Sequence, residues 1–120
     1  MTNNVYWLLE TNIKEGETEN LKNLMTEMID YTKENEHGAL YYEWSVSEDG
    51  KSCNLFERYS DSEATLKHLD SFGKNFAQRF MSILEIRKFV VYGNPDENVV
   101  NALNKIGAKI MKPLGGFNRK

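Results

Sequence analysis

The residues whose types could do chemistry lie close together between positions 52 and 72, in the segment SCNLFERYSDSEATLKHLDSF. Its first part alternates as a strand does, which places Leu55, Glu57 and Tyr59 on one face. A Ser-Asp-Ser-Glu segment then ends the strand, and His68 follows on the predicted helix. Carboxylates and imidazoles are common general bases, so His68 or Glu57 could take a proton from a phenolic substrate.

Glu57 and His68 each have a structural interpretation beside the catalytic one. A glutamate that points into a core is costly unless it is bonded or protonated, so burial would mark Glu57 as part of a site. Alternatively, Glu57 forms a salt bridge with Arg58, Lys67 or Arg87 at the rim of the sheet. His68 could equally be a structural side chain that bonds near the sheet edge. The residue types leave these alternatives open.

Aromatic side chains recur at positions that could line a flat apolar pocket for an aromatic substrate. The candidates for substrate contacts are Trp7, Tyr42, Trp44, Tyr59, Phe72 and Phe76. Aromatic residues in such a pattern are also typical of a hydrophobic core or of a dimer interface. Substrate binding and core packing therefore both remain interpretations of this set.

The strands and helices that must position these residues are indicated by periodicity. Strands are predicted at residues 5–13, 39–47, 53–59 and 85–92, with an Asp-Gly hairpin turn between the second and the third. Helices are predicted at residues 17–36, 64–70 and 71–84, and again after residue 94. This order predicts an α+β, ferredoxin-like fold: a split βαβ (βαββαβ) arrangement with helices on one face of an antiparallel sheet.

Single residues predict where the helices begin and end. Ser60 and Glu63 have the spacing of a capping box at the start of the second helical segment. Gly73 predicts a kink or a division of that segment, because glycine destabilises a helix interior. Asn94 is predicted to cap the last helix, with Pro95 at its first position.

The sheet is expected to be apolar on both faces. The first strand places Trp7 on one side and Tyr6 and Leu8 on the other. Because so large an aromatic surface should not be left in water, we expect a homodimer that packs sheet against sheet. Residues 1–93 then form the ferredoxin-like domain, and residues 94–120 form a C-terminal helix and tail that packs on the same domain or on the partner.

Composition and charge argue against several classes of function. A net charge of -3 and a pI of about 5.4 do not attract a phosphate backbone, so no nucleic-acid partner is expected. No apolar run approaches the roughly 20 residues that cross a bilayer, so no membrane insertion is expected. Two histidines and the single Cys53 form no cluster with ligand spacing, which predicts no metal site. The first residues lack the character of a secretory signal, so we expect a cytoplasmic protein.

A set of short motifs follows one another in order between residues 5 and 92. They are Ile13-Lys14-Glu15-Gly16, Leu40-Tyr41-Tyr42-Glu43-Trp44, Phe56-Glu57-Arg58-Tyr59, Ser60-Asp61, Glu63-Ala64 and His68-Leu69-Asp70-Ser71. In this order the motifs resemble the antibiotic biosynthesis monooxygenase-like proteins. The ending between residues 111 and 117 is similar to a tail seen in some members.

The resemblance implies a dimeric α/β barrel with a pocket in each protomer between sheet and helices. Characterised members include quinol and anthrone-type oxygenases that need no metal or flavin, so we expect no cofactor. By position, Leu55, Tyr59 and Arg79 correspond to the site residues of the anthrone-oxidising relatives. In that role Arg79 would neutralise an enolate or phenolate that develops during the attack on oxygen.

Two functions follow as hypotheses. The first is a cofactor-independent monooxygenase that combines a small aromatic or quinol-type molecule with dioxygen. The second is a non-catalytic dimeric module of the same fold that binds or senses a small molecule. Haem binding is not expected, because the residues that haem-degrading relatives use are replaced here by Leu8-Leu9, His68 and Ala77-Gln78.

Overall fold

The computed structural model describes residues 2–119. Met1, the first residue of the predicted domain 1–93, and Lys120, the last residue of the predicted tail 94–120, lie outside the described residues. The elements in chain order are β1 (Val5–Ile13), α1 (Thr18–Asn35), β2 (Ala39–Val46), β3 (Ser52–Tyr59), α2 (Ser62–Asn75), α3 (Ala77–Ile83), β4 (Leu84–Gly93), α4 (Glu97–Asn104) and β5 (Lys109–Ile110). Within residues 2–119, no helix combines the length and the apolar character needed to span a bilayer.

The five strands form one sheet in the order β2-β3-β1-β4-β5. The central strand β1 pairs antiparallel with β3 on one side and with β4 on the other, and β2 pairs antiparallel with β3. The short β5 adds to the outer edge of β4 in parallel. The first four strands and their helices confirm the predicted α+β, ferredoxin-like fold, with α4 as the appended C-terminal helix.

The core lies between one face of the sheet and the helices. Alternation along β1 turns Val5, Trp7 and Leu9 towards this core, where they form one buried cluster with Leu24 and Met28 of α1. The buried side of α1 is a stripe that includes Leu21, Leu24 and Met28, as expected for a helix that covers a sheet. The position of the core therefore follows from the periods of strand and helix.

The division between the second and third helices differs from the prediction. Helix α2 continues past Gly73 and ends at Asn75, and the backbone leaves the helical region only at Phe76. A single glycine costs a helix about 1 kcal/mol, which tertiary packing can outweigh. Phe76, where the two helices are divided, is half-buried and packs edge-on against Tyr31 of α1.

Two helix caps also differ from the prediction. Asp61, not Ser60, caps α2, and Asp96, not Asn94, caps α4; each carboxylate accepts a hydrogen bond from a backbone N–H of the first turn. The backbone N–H groups of Ser60 and Asn94 donate instead to carbonyl groups at the ends of neighbouring strands, at 2.8 and 2.9 Å. Ser60 and Asn94 therefore still take part in backbone pairing at the ends of the strands, and each helix begins after them.

Candidate active site

Three side chains lie next to one another across neighbouring strands and point to the helix-covered face. Glu57 on β3 is paired directly with Trp7 on β1 and with Tyr42 on β2. The pairing of β2 shifts between Ala39 and Tyr41, and this bulge turns Tyr42 inwards and Tyr41 outwards. Plain alternation along β2 would put Leu40 on the same face as Tyr42 and Trp44, but Leu40 lies at the bulge and is 54% exposed. The sheet holds a carboxylate with an aromatic side chain on either side.

Helix α2 adds His68 above this row. Asp61 caps the helix by accepting from the Ala64 N–H at 2.8 Å, and the turns that follow bury Thr65 and His68 on the side that faces the sheet. Gly38 lets this helix approach closely, since a Cβ at that position would lie 2.5 Å from the Ala64 Cβ. The imidazole is thus positioned by a cap at the start of α2 and by a close contact beside it.

The imidazole of His68 bridges two buried carboxylates. Its Nδ1 lies 2.8 Å from Glu36 Oε1, and its Nε2 lies 3.2 Å from Glu57 Oε1. The Tyr59 hydroxyl donates to the same Glu57 oxygen at 2.7 Å. Glu36, Glu57 and His68 are 4%, 3% and 6% exposed, so the ion pairs are shielded from water. A ring with a carboxylate at each nitrogen donates from both, as an imidazolium does.

The surroundings of His68 set its charge. Burial by itself lowers its pKa, but the hydrogen bonds to Glu36 and Glu57 outweigh that effect and raise the pKa to about 9. Burial and the neighbouring Glu57 charge raise the pKa of Tyr59 well above its usual range, so the phenol remains a donor. A protonated imidazole cannot accept a proton at neutral pH, so the possible proton acceptors of this cluster are its two carboxylates, of which only Glu57 lines the adjoining cavity.

A cavity of about 350 Å³ adjoins this cluster. Its walls are mostly apolar, and the residues that bring hydroxyl, carboxylate or imidazole groups to the lining are Tyr42, Glu57 and His68. The lining residues that are most exposed are Met81 on α3 and Ile106 in the turn after α4. The cavity therefore opens between α3 and that turn, and its polar end lies at the sheet.

The structure brings six of the predicted site residues together around this cavity: Trp7, Tyr42, Leu55, Glu57, His68 and Phe72. Tyr59 lies behind Glu57, fully buried, and reaches the cavity only through that carboxylate. Trp44 is half-buried beside the lining and packs edge-on against Tyr42 and Phe80. Phe76 packs on α1 and is outside the lining.

Arg79 lies away from the cavity. Its exposed guanidinium forms an ion pair with Glu27 of α1. It borders a separate surface depression that also includes Lys74 and Ser82. The predicted role of Arg79 in neutralising a phenolate does not agree with this position, because the group faces solvent on the helix side.

Glu36 is the site residue that the sequence analysis missed. It is the residue that ends α1, and it reaches His68 across 32 positions of the chain. An acidic side chain is unfavourable at the negatively polarised end of a helix, which indicates that a positive partner holds it there. The acidic residue at the C-terminal end of this helix was therefore the one sequence signal for a site residue, but it does not indicate which positive side chain pairs with it. Across residues 2–119, no group of three His, Cys, Asp or Glu side chains is arranged to hold a metal ion.

Comparisons with known proteins place this architecture in a family. A family model described as antibiotic biosynthesis monooxygenase matches residues 5–79, which is more than half of the chain. The matched range contains β1 to α2 and hence Glu36, Glu57 and His68. None of the curated proteins that were compared with the chain matches it.

Solved structures share the fold at low sequence identity. MupZ from Pseudomonas fluorescens has a TM-score of 0.83 and 23% identity, with 99% of this chain and 91% of that one covered. SnoaB from Streptomyces nogalater, a cofactor-independent oxygenase, has a TM-score of 0.65 and 11% identity over 75% of this chain and 91% of its own. Rv0793 from Mycobacterium tuberculosis has a TM-score of 0.60 and 24% identity over 78% and 97%. At these identities the likeness shows the fold alone.

Proposed function

Because the chain belongs to the antibiotic biosynthesis monooxygenase family, we propose that it is a cofactor-independent monooxygenase that acts on a small aromatic or quinol-type substrate. The observation that carries this proposal is the buried Glu57 carboxylate at the polar end of an otherwise apolar cavity. The description of SnoaB as a cofactor-independent oxygenase supports the same class of reaction.

In this reaction Glu57 accepts the proton of the substrate hydroxyl, and the electron-rich phenolate carbon then bonds to dioxygen. The protonated Glu57 returns its proton to the peroxide that forms. Glu57 then takes the proton of the same carbon as the O–O bond breaks, so one oxygen atom stays as a quinone carbonyl and the other leaves as hydroxide, which takes that proton from Glu57 and becomes water. The substrate supplies all the electrons, and the chain supplies the base and the apolar surroundings.

The other members of the cluster hold Glu57 in place during these steps. The His68 imidazolium and the Tyr59 hydroxyl both donate to Glu57 Oε1, and Glu36 orients the imidazole from its far side. Burying two carboxylates and an imidazolium costs several kcal/mol per ion before their attraction is counted. A module that only binds an apolar molecule has no use for such a cluster, which favours the catalytic hypothesis over the binding one.

Oxygen uptake tests the proposed function. Purified protein is incubated with a panel of quinols and anthrones, and oxygen consumption is followed with an electrode in parallel with a His68→Ala variant. We expect at least one compound to be consumed by the wild-type protein faster than by the variant, because the variant loses the group that holds Glu57. Uptake no faster than with the variant for every compound, while calorimetry detects binding, would identify the non-catalytic module instead.

We also propose that the outer face of the sheet packs against a second copy of the chain. Tyr41 and Phe56 meet edge-on on this face and are 46% and 43% exposed. An exposed aromatic cluster on a sheet face is typical of a face that is covered in the assembled protein.

Substitution of Phe56 by Glu tests this dimer. We expect the wild-type protein to sediment as a dimer at micromolar concentration. Phe56→Glu should raise the dissociation constant by about 100-fold or more, since it places a charge in a desolvated interface. Met81→Glu is the matched control, because Met81 is similarly exposed at 46% but lies on the helix side. A wild-type monomer at that concentration would contradict the proposal.

A further inference from the structure

The two ends of the cavity come from different parts of the chain. Glu57 and His68 stand at its polar end, and both lie within residues 5–79, the range that the family model matches. The mouth of the cavity is the gap between Met81 on α3 and Ile106 in the turn after α4, and both of these residues follow that range. A ligand whose polar group reaches Glu57 and that fills the cavity therefore has its far end beside Met81 and Ile106.

The turn that carries Ile106 is closed by its own backbone. The N–H groups of Ile106 and Ala108 both donate to the carbonyl of Leu103, each at 3.1 Å. Gly107 stands between them with a φ of +84°, a backbone conformation that residues with a Cβ rarely adopt. Because the bonds on either side of Gly107 share one carbonyl, the backbone of this turn sets the position from which the Ile106 side chain reaches the cavity.

The elements on both sides of this turn are bonded to the elements that form the cavity. Before the turn, Leu103 of α4 is fully buried in the core, and the Asp96 N–H donates to the Ser62 hydroxyl of α2 at 2.8 Å. After the turn, β5 pairs with β4, and the Met111 N–H donates to the Val91 carbonyl at 2.7 Å. Both α2 and β4 contribute residues to the lining. The turn can therefore move away from the mouth only if these contacts are broken.

We infer that Ile106 is a specificity-determining residue, which together with Met81 limits the width of a ligand at the end that lies away from Glu57. Met81 is held as firmly as Ile106, because its neighbours Phe80 and Ile83 on α3 are buried in the core. A wide group at the far end of the ligand overlaps with these two side chains, and overlap with a wall that is held in place is unfavourable. This inference rests on the proposed function and deepens it by naming the residues that set the size limit.

Two phenols that differ only in the group at the far end test this inference. In para-phenylphenol that group is a flat ring, and in para-adamantylphenol it is a rigid, rounded cage. Their dissociation constants are measured by calorimetry without oxygen, and the ratio of the adamantyl to the phenyl constant is compared between variants. The ratio cancels any effect of a substitution on the fraction of folded protein. We expect Ile106→Ala to lower the ratio by about 10-fold or more, because the overlap is removed, and Ile106→Trp to raise it by a similar factor.

The matched control is Lys105→Ala, because Lys105 is the exposed neighbour of Ile106 and lies outside the lining. It should keep the wild-type ratio. The inference is overturned if Ile106→Ala lowers the ratio no more than Lys105→Ala does. It is also overturned if the wild-type protein binds para-adamantylphenol as tightly as para-phenylphenol, or binds neither. Oxygen consumption plays no part in this measurement, so the size limit can fail while oxygenase activity stands, and it can hold where no oxygen is consumed.

Discussion

Replacing Glu57 by Gln is expected to lower kcat for oxygen consumption by about 10²–10⁴-fold, which is the usual contribution of a general base. The amide has the shape of the carboxylate, and its oxygen can still accept from Tyr59 and His68. It cannot accept the substrate proton at neutral pH, so phenolate formation is lost while the pocket keeps its form. The rate is measured with whichever compound of the panel the wild-type protein consumes.

The matched control for this substitution is Glu34→Gln. Glu34 is exposed on α1, outside the lining of the cavity and away from the sheet face that we propose as the dimer interface. It should keep the wild-type rate. Circular dichroism and thermal unfolding of both variants establish that they are folded. A folded Glu57→Gln variant with kcat within a few-fold of wild type would show that Glu57 is not the base.

The free energy of unfolding is expected to fall by about 3 kcal/mol as the pH rises from about 6.5 to about 9. Although burial opposes its charge, His68 has a folded-state pKa raised to about 9 by its bonds to Glu36 and Glu57, whereas an unfolded histidine titrates near 6.5. The folded state thus binds the proton more tightly in this range. The stabilisation is fully present below the lower value and is lost as the pH passes the upper one.

Urea unfolding at several pH values within this window measures the effect, at one fixed protomer concentration because a dimer's stability depends on it. His37, which is exposed, is the only other histidine of the chain, so His37→Gln should keep the full decrease. Glu36→Gln keeps the shape of the cluster but removes one charge that raises the His68 pKa, so its decrease should be smaller. Equal decreases in Glu36→Gln and wild type would contradict the assignment.

The sequence by itself determined the fold class and the side chains that β3 contributes to the site. A strand has a period of two residues, so Glu57 and Tyr59 had to share a face with Leu55. The apolar period of α1 likewise indicated which side of that helix is buried. These are local properties, since they depend on neighbours within a few positions, and the order of the strands and helices that they predict was sufficient to predict the fold class.

The sequence did not determine where the helices begin and end, because their backbone N–H and C=O groups can form hydrogen bonds with other parts of the chain. Ser60 has the right side chain and spacing for a cap, but its N–H bonds to a carbonyl at the end of a neighbouring strand. Similarly, the local cost of Gly73 predicts a break that the packed α2 does not have. At Ser60 a contact from a distant part of the chain outweighs the local preference, whereas at Gly73 the cost of one glycine, about 1 kcal/mol, is too small to end the helix.

Only the tertiary structure decided what the polar residues do. Glu36 and His68 are 32 positions apart, and nothing local to either indicates that they meet at 2.8 Å. The register between β2 and β3, which shifts at the bulge, decides that Tyr42 stands directly opposite Glu57. The segment between residues 52 and 72 therefore supplies a carboxylate and an imidazole, but folding adds Glu36, which helps to raise the pKa of His68. Because the interaction of buried charges depends on distance and on exclusion of water, the chemistry of this site exists only once the chain is folded.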